Sequence, residues 1–312
     1  MRIDKIIDAI TKKIFNPLIR DILRGNISWK LRLFAIGIAL KKKILLWKRP
    51  FQLHTIEIKQ YTISKSFDPQ SKKNGITALG RFKNSADFLE ISMRSILPYI
   101  DEMIMLVDTS STDTTLDICQ RLALEFPTQC KLYTYDQAVY PNHEKYVSNQ
   151  DNSVYALSYF YNYCMSKASY KYVMKFDDDM LCVGEDFKIC NSIRNDGLQS
   201  FLDIPQINIS RNGTGELSIA NKYLSSIAGI FDHGIFPLSN KTYFFNDTGC
   251  ENLIAPYWIQ YSQTIFLHLK NLKSGMKNYD GYGVEYIKKL NESTYISLPK
   301  KYKDILSKRG IE

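Results

Sequence analysis

Tyr172-Val173-Met174-Lys175-Phe176-Asp177-Asp178-Asp179-Met180-Leu181 is the stretch on which the fold turns. Its first half, Tyr172 to Phe176, has the apolar, β-branched and aromatic character of a buried strand. The strand ends in three carboxylates, and apolar Met180 and Leu181 follow at once. Adjacent carboxylates repel one another unless a cation neutralises them, and the apolar residues beyond make a merely solvated acidic turn a poor reading. Taken as an extended segment, Asp177 and Asp179 point the same way. They then share a ligand set suited to a hard divalent ion, Mg²⁺ or Mn²⁺, which would bridge the two phosphates of a nucleoside diphosphate.

Toward the N-terminus, short apolar runs alternate with helical patterns, the signature of a parallel α/β sheet. Ile76 to Leu79 is a predicted strand. Ser85 reads as the N-cap of a helix carrying Phe88, Leu89, Ile91, Met93, Ile96 and Leu97. Glu102 to Val107 is a second strand, turning at Asp108-Thr109-Ser110-Ser111. Leu116 to Leu124 is helical, Lys131 to Tyr135 is a strand, and Val154 to Ser166 is helical. In open α/β sheets ligands collect beyond the carboxyl ends of strands, so the acidic turns at Asp108 and Asp177 are expected to face one pocket.

These segments together resemble the nucleotide-binding half of glycosyltransferase family 2, in the GT-A superfamily. The resemblance covers Ile76 to Leu181, about a third of the chain. Where the family reads approximately V-D-D-G-S-T-D-N-T, this chain has Val107-Asp108-Thr109-Ser110-Ser111-Thr112-Asp113-Thr114-Thr115. The family's Asn before its D-x-D motif, and the Ala after that Asn, correspond to Asn162 and Ala168 ahead of Asp177. Thr109 stands in place of the family's second Asp, and Ser110 in place of its Gly. The resemblance implies a GT-A fold with a mostly parallel central sheet. It also implies that Asp108 contacts the nucleotide base, Asp177 the ribose or metal, and Asp179 the metal. Asp178 and Asn162 accompany them on the donor side, with Arg81 and Lys83 on the first nucleotide-side loop. No Q-x-x-R-W motif and no long apolar runs follow, which speaks against a processive polysaccharide synthase.

The residues after 185 must be read alone. Ile207 to Ser210 and Glu216 to Ile219 alternate about Asn212-Gly213, predicting a hairpin at the edge of the site. In Gly229-Ile230-Phe231-Asp232-His233-Gly234, an acid and an imidazole sit between apolar residues and glycines. Asp232 is the first candidate for the base that deprotonates an acceptor hydroxyl, with Glu251 and Glu285 as alternatives. His233 and His268 are candidates to complete the metal shell, and Asp113 reads equally well as a helix-start residue.

Charge locates a further feature. The chain of 312 residues carries a formal +9, yet residues 1–50 hold 13 Lys/Arg against 3 Asp/Glu, and the remainder is near neutral. That distribution argues against a groove for nucleic acid. Ile3, Ile6, Ile7, Ile10 and Ile14 recur at helical spacing among lysines, and Leu33 to Leu40 is flanked by basic residues and by Trp29 and Trp47. Eight apolar residues are too few to span a bilayer, which takes about 20. An interfacial helix against anionic lipid fits, as does a helical subdomain packed on the main fold. The six cysteines show no zinc spacing and read as buried thiols. No signal-peptide pattern is visible, so cytoplasmic residence is expected, peripheral on the inner face of the plasma membrane.

The chain is thus expected to comprise a basic helical extension (1–70), a nucleotide-sugar-binding half (71–184) and an acceptor-binding half (185–312). The expected activity is transfer of a sugar from a nucleotide-sugar to a glycan or glycolipid of a bacterial-type surface polysaccharide, lipopolysaccharide or capsule, with inversion. A nucleotidyltransferase making a nucleotide-sugar, or a non-catalytic scaffold of a glycan-assembly complex, are the alternatives.

Overall fold

The computed structural model describes residues 58–63, 71–137, 139, 153–199, 201–220, 233–239, 242–247, 250–254, 260–261, 264–274 and 295–312. The predicted basic helices of residues 1–50, Asp232 and Glu285 lie outside the described residues. In chain order the strands are β1 Lys73–Phe82, β2 Glu102–Asp108, β3 Cys130–Tyr135, β4 Tyr170–Phe176, β5 Met180–Cys182, β6 Leu202–Asp203 and β7 Gln206–Arg211. They continue as β8 Leu217–Ala220, β9 Gly234–Pro237, β10 Tyr243–Asp247, β11 Cys250–Ile254, β12 Gln260–Tyr261, β13 Phe266–His268 and β14 Tyr295–Ser297. The helices are α1 Leu89–Ile96, α2 Thr115–Glu125, α3 Leu157–Ser166, α4 Ile189–Asp196 and α5 Lys300–Ser307.

A seven-stranded sheet runs β12-β6-β9-β4-β1-β2-β3. Its centre is parallel: β4, β1, β2 and β3 run together, while β9 enters antiparallel between β4 and β6. Both faces are covered, so β1 and β2 are apolar in near-continuous runs, as parallel strands buried on two sides must be. On one face Leu79, Ile104, Leu106 and Val173 pack under α3, with Tyr135, Phe160 and Tyr163. On the other, Ile76, Met103, Met105 and Phe176 meet α1, α2 and α4 through Met93, Ile118 and Cys190. A second, five-stranded sheet, β14-β8-β7-β13-β5, carries its own core with α5 through Ile207, Leu267, Tyr302 and Leu306. The large sheet draws strands from both sides of residue 184, and β5, directly after the acid run, belongs to the second sheet.

The observed α/β class and mostly parallel sheet match the expectation from sequence, and three local readings need correction. Helix α1 starts at Leu89, with Phe88 at its N-cap position. Ser85 is not its cap; the Ser85 N–H donates to Thr115 Oγ1 at 2.7 Å, pinning the loop to the start of α2. The hairpin exists, but Arg211 pairs with Leu217, so residues 212–216 form its loop rather than Asn212-Gly213 alone. Asn212 Oδ1 accepts from the Thr214 and Glu216 N–H groups, and the left-handed position falls on Gly215, φ +86°. The third correction concerns the acid run itself. Five cysteines, at 119, 130, 164, 182 and 190, are buried free thiols, and no helix among the described residues is long and apolar enough to cross a membrane.

Candidate active site

Strand β4 ends at Phe176 in the large sheet, and β5 begins at Met180 in the small one. The chain changes sheets within three residues, and the Met180 N–H reaches back to the Asp177 carbonyl at 3.3 Å. Asp177-Asp178-Asp179 is therefore a turn, not an extended segment, and the expectation that Asp177 and Asp179 point the same way is overturned. Asp177 turns toward α3 and the chain entering β9: its Oδ2 lies 2.9 Å from His233 Nε2 and 3.3 Å from Lys175 Nζ, and its Oδ1 accepts weakly from the Tyr161 hydroxyl at 3.4 Å. Burial alone would raise its pKa, but the positive charge of Lys175 and the His233 ring prevail and hold it well below the usual carboxylate range. Asp178 and Asp179 turn the other way and share one ammonium, with Lys273 Nζ 2.8 Å from an oxygen of each. Burial, with the neighbouring Asp179 charge, pushes the Asp178 carboxyl up to about 6. Asp179 moves in the opposite direction because His268 and Lys273 outweigh its burial.

His268, at the end of β13, stands against Asp179 with Nε2 3.2 Å from Oδ1. Its Nδ1 is 2.6 Å from Asn208 Oδ1 on β7. An amide oxygen only accepts, so Nδ1 carries the proton. Burial lowers the His268 pKa, which favours the neutral ring. The Nε2 lone pair of that ring then faces a carboxylate oxygen with no hydrogen bond. A ring nitrogen fixed through its partner in this way is how a metal-binding imidazole is commonly oriented. The predicted hairpin thus borders the site, through Asn208.

Strand β1 supplies a basic wall. Arg81 is buried against α3, its guanidinium 4.6 Å from the centre of the Tyr161 ring and donating to the Tyr161 hydroxyl at 3.0 Å. Burial would lower its pKa, but Tyr161, Glu251 and Asp177 together raise it, so it stays a cation. Lys83 lies 3.1 Å from Asp108 Oδ2. Asp108, 1% exposed at the end of β2, spends Oδ1 on the Ser110 N–H and hydroxyl at 2.8 and 2.6 Å, while Oδ2 makes no hydrogen bond despite the nearby ammonium.

The other predicted residues fall into distinct places. His233 is delivered next to the acid turn by β9, which sits so close to β6 that a Cβ on Gly234 would stand 2.3 Å from the Leu202 carbonyl oxygen. It holds Asp177, whereas His268 is the imidazole that meets Asp179. Glu251 on β11 reaches Lys175 at 3.7 Å, on the Asp177 side. Asn162 is a correction to its expected nucleotide role: its amide donates to the Phe244 carbonyl at 2.8 Å and accepts from the Phe244 N–H at 2.7 Å, clamping β10 to α3. Asp113 likewise serves the backbone, accepting from the Ala86 and Thr115 N–H groups at 2.9 and 3.0 Å. Three contributors escaped the sequence reading: Lys175, Tyr161 and Lys273. Lys175 alone left a trace, since a charged residue inside an otherwise apolar buried strand requires a buried partner.

Not every buried carboxylate here points to a ligand. Glu102, at the opposite end of the sheet, accepts from Thr77, from Ser169 through both N–H and hydroxyl, and from Lys131, and no oxygen is left over. Asp108 Oδ2 and Asp179 Oδ1, both at carboxyl ends of strands, are buried without a hydrogen bond, a costly state that a ligand would relieve. The oxygen and imidazole donors at Asp179 and His268 suit Mn²⁺ or Mg²⁺. Among the described residues no three His, Cys, Asp or Glu side chains converge to cage an ion by themselves. That is the pattern of an ion held by one or two carboxylates and completed by substrate phosphates.

No protein-family model matches the sequence, and no curated protein matches it. Solved structures similar in chain trace include residues 1–349 of S. aureus TarS, at 14% identity, with 73% of this chain and 68% of that one covered and a TM-score of 0.43. Another is the mannosyltransferase PcManGT of Pyrobaculum calidifontis in complex with GDP-Man and Mn²⁺, at 16% identity, 58% and 48% coverage and a TM-score of 0.31. A third is glucosyl-3-phosphoglycerate synthase of Mycobacterium tuberculosis with Mn²⁺, UDP and phosphoglyceric acid, at 16% identity, 45% coverage of each chain and a TM-score of 0.28. The chain spans less than half the length of these last two.

Proposed function

We propose that this chain is a metal-dependent glycosyltransferase that binds a nucleotide-sugar across the carboxyl ends of β1, β2 and β4. The observation that carries the reading is the pair of buried, unbonded carboxylate oxygens, Asp108 Oδ2 and Asp179 Oδ1, at two strand ends flanked by Lys83, Lys273 and Arg81. Such a crevice suits a ligand with hydrogen-bond donors at one end and a metal-bound diphosphate at the other.

Asp108 is assigned to the nucleotide base, Lys83 and Arg81 to the donor's anionic portion, and Asp179 with His268 to the divalent ion. Asp177, the further metal candidate, is held by Lys175 and His233 and faces the ribose or the ion. A bound divalent ion supplies charge stabilisation to the departing nucleoside diphosphate. Glu251, which shares Lys175 with Asp177, belongs to the donor side. Asp232, directly before His233 in sequence, is therefore the proposed general base. It takes the proton from the acceptor hydroxyl as that oxygen attacks the anomeric carbon from the face opposite the diphosphate, giving inversion.

A thermal-shift screen of nucleoside diphosphates tests the donor assignment. One of UDP, GDP, ADP or CDP with Mn²⁺ is expected to raise the melting temperature by several degrees, since at about a hundred times Kd a ligand adds about 2.7 kcal/mol. The same nucleotide in EDTA should have little effect. No shift with any of the four would remove the donor reading.

The acceptor is proposed to be a glycan or glycolipid presented at an anionic membrane surface, with the basic segment 1–50 as the contact. Each Lys or Arg near such a surface contributes about 1 kcal/mol. Liposomes containing phosphatidylserine should float the full chain at low salt and lose it when residues 1–50 are removed. Equal flotation of the shortened chain would refute the membrane role.

A further inference from the structure

The segment from Leu269 to Ser274 crosses the acid turn and is anchored at both ends. The Leu269 N–H donates to the Asp179 carbonyl at 2.8 Å. The Ser274 N–H and hydroxyl donate to the Asp87 carboxylate at 2.7 and 2.9 Å. Between them Lys270–Leu272 makes a 3₁₀ turn, and the Asn271 amide donates to the Ser210 hydroxyl at 2.7 Å. None of these anchors uses the side chain of Lys273. That side chain reaches the acid turn, placing its ammonium 2.8 Å from both Asp178 Oδ2 and Asp179 Oδ2.

The ammonium and a divalent ion compete for one carboxylate. An ion at Asp179 Oδ1 and His268 Nε2 would stand a few ångströms from a cation already neutralising Oδ2, and like charges that close repel strongly in a buried site. A nucleoside diphosphate changes the balance, because its oxygens offer the ammonium a second anionic partner. A lysine is suited to the exchange, being a point charge on a flexible stem, and the backbone anchors hold while the side chain moves.

We infer that Lys273 is a positioning residue with two stations: counter-ion to Asp178 and Asp179 in the metal-free protein, and partner of the diphosphate once a divalent ion takes Asp179. The inference rests on the reading of the acid turn as a metal and diphosphate site. Its consequence is that the ion alone binds weakly and enters well only together with a nucleoside diphosphate.

Calorimetric titration of Mn²⁺ into the metal-free full chain, alone and with UDP or GDP, tests this. Lys273→Met is expected to bind Mn²⁺ alone at least ~10-fold more tightly than the parent, because one adjacent charge shifts cation binding at a carboxylate by about one to three decades. The extra Mn²⁺ affinity conferred by the nucleotide should shrink by a similar factor. Lys273→Gln, neutral but able to hydrogen-bond both carboxylates, should behave likewise and covers the case in which the methionine variant does not fold. Lys273→Arg, which keeps the charge, should bind Mn²⁺ alone as weakly as the parent. If the neutral variants bind Mn²⁺ no more tightly than the parent, while the parent binds it with nucleotide in an Asp179-dependent way, the two-station role is wrong and the metal site stands. If no variant binds Mn²⁺ with or without nucleotide, both fall.

Discussion

Asp179→Ala is expected to lower metal-dependent transfer or donor hydrolysis by about a thousandfold or more, the scale on which losing an electrostatic contact to developing charge is felt. The substitution removes the carboxylate whose Oδ1 is buried without a hydrogen bond opposite His268 Nε2. It also removes one of the two partners of Lys273. The fold should survive, because the backbone contact from Leu269 to the Asp179 carbonyl does not involve the side chain. Circular dichroism and a melting curve in EDTA check that. Turnover near the parental rate in a Mn²⁺ titration would show that the ion, if bound, is held elsewhere.

Lys175→Met should produce the largest loss of stability among the charged residues of the site. Lys175 is 2% exposed in the middle of the central sheet and meets both Asp177, at 3.3 Å, and Glu251, at 3.7 Å. Methionine fills a similar volume, so the change chiefly removes a charge and leaves two carboxylates without it. Removing one partner from a buried ion pair costs about 3–5 kcal/mol. At roughly 2–4 °C per kcal/mol for domains of this size, the melting temperature should fall by about 10 °C. The double change Lys175→Met with Glu251→Gln should recover part of the loss, since it withdraws one of the stranded charges. A single variant that melts within a degree or two of the parent would mean that Lys175 is dispensable to the network.

The sign of the pH dependence at Asp177 follows from the same contacts. Its folded-state pKa lies well below the ordinary value of an unfolded chain. The stability it contributes is therefore present above about pH 4, the ordinary carboxylate range, and is lost as pH falls through the folded value. Lys175 and His233 are the source of that contribution, so the Lys175→Met variant should show a weaker dependence in acid.

Amino-acid order by itself determined the parallel core of this protein. The apolar runs of β1, β2 and β4, the helical spacing between them and the acidic residues at their ends are local patterns, and burial on both faces of a parallel sheet writes them plainly into the sequence. It likewise placed Asp108, Asp177, Asp179, Arg81 and Lys83 at strand ends on one edge. What it did not determine is which way each carboxylate points. The acid run belongs to two sheets at once, so its shape is set by the change from β4 to β5, and that pairing is made by β13, more than eighty residues later. Lys273 and His268 arrive on the same distant segment, and Asn162 is turned from the pocket by a hydrogen-bonded partner on β10. Only tertiary structure decided these contacts, because a buried charge takes its role from whichever opposite charge the fold brings to it, and sequence distance carries no record of that meeting.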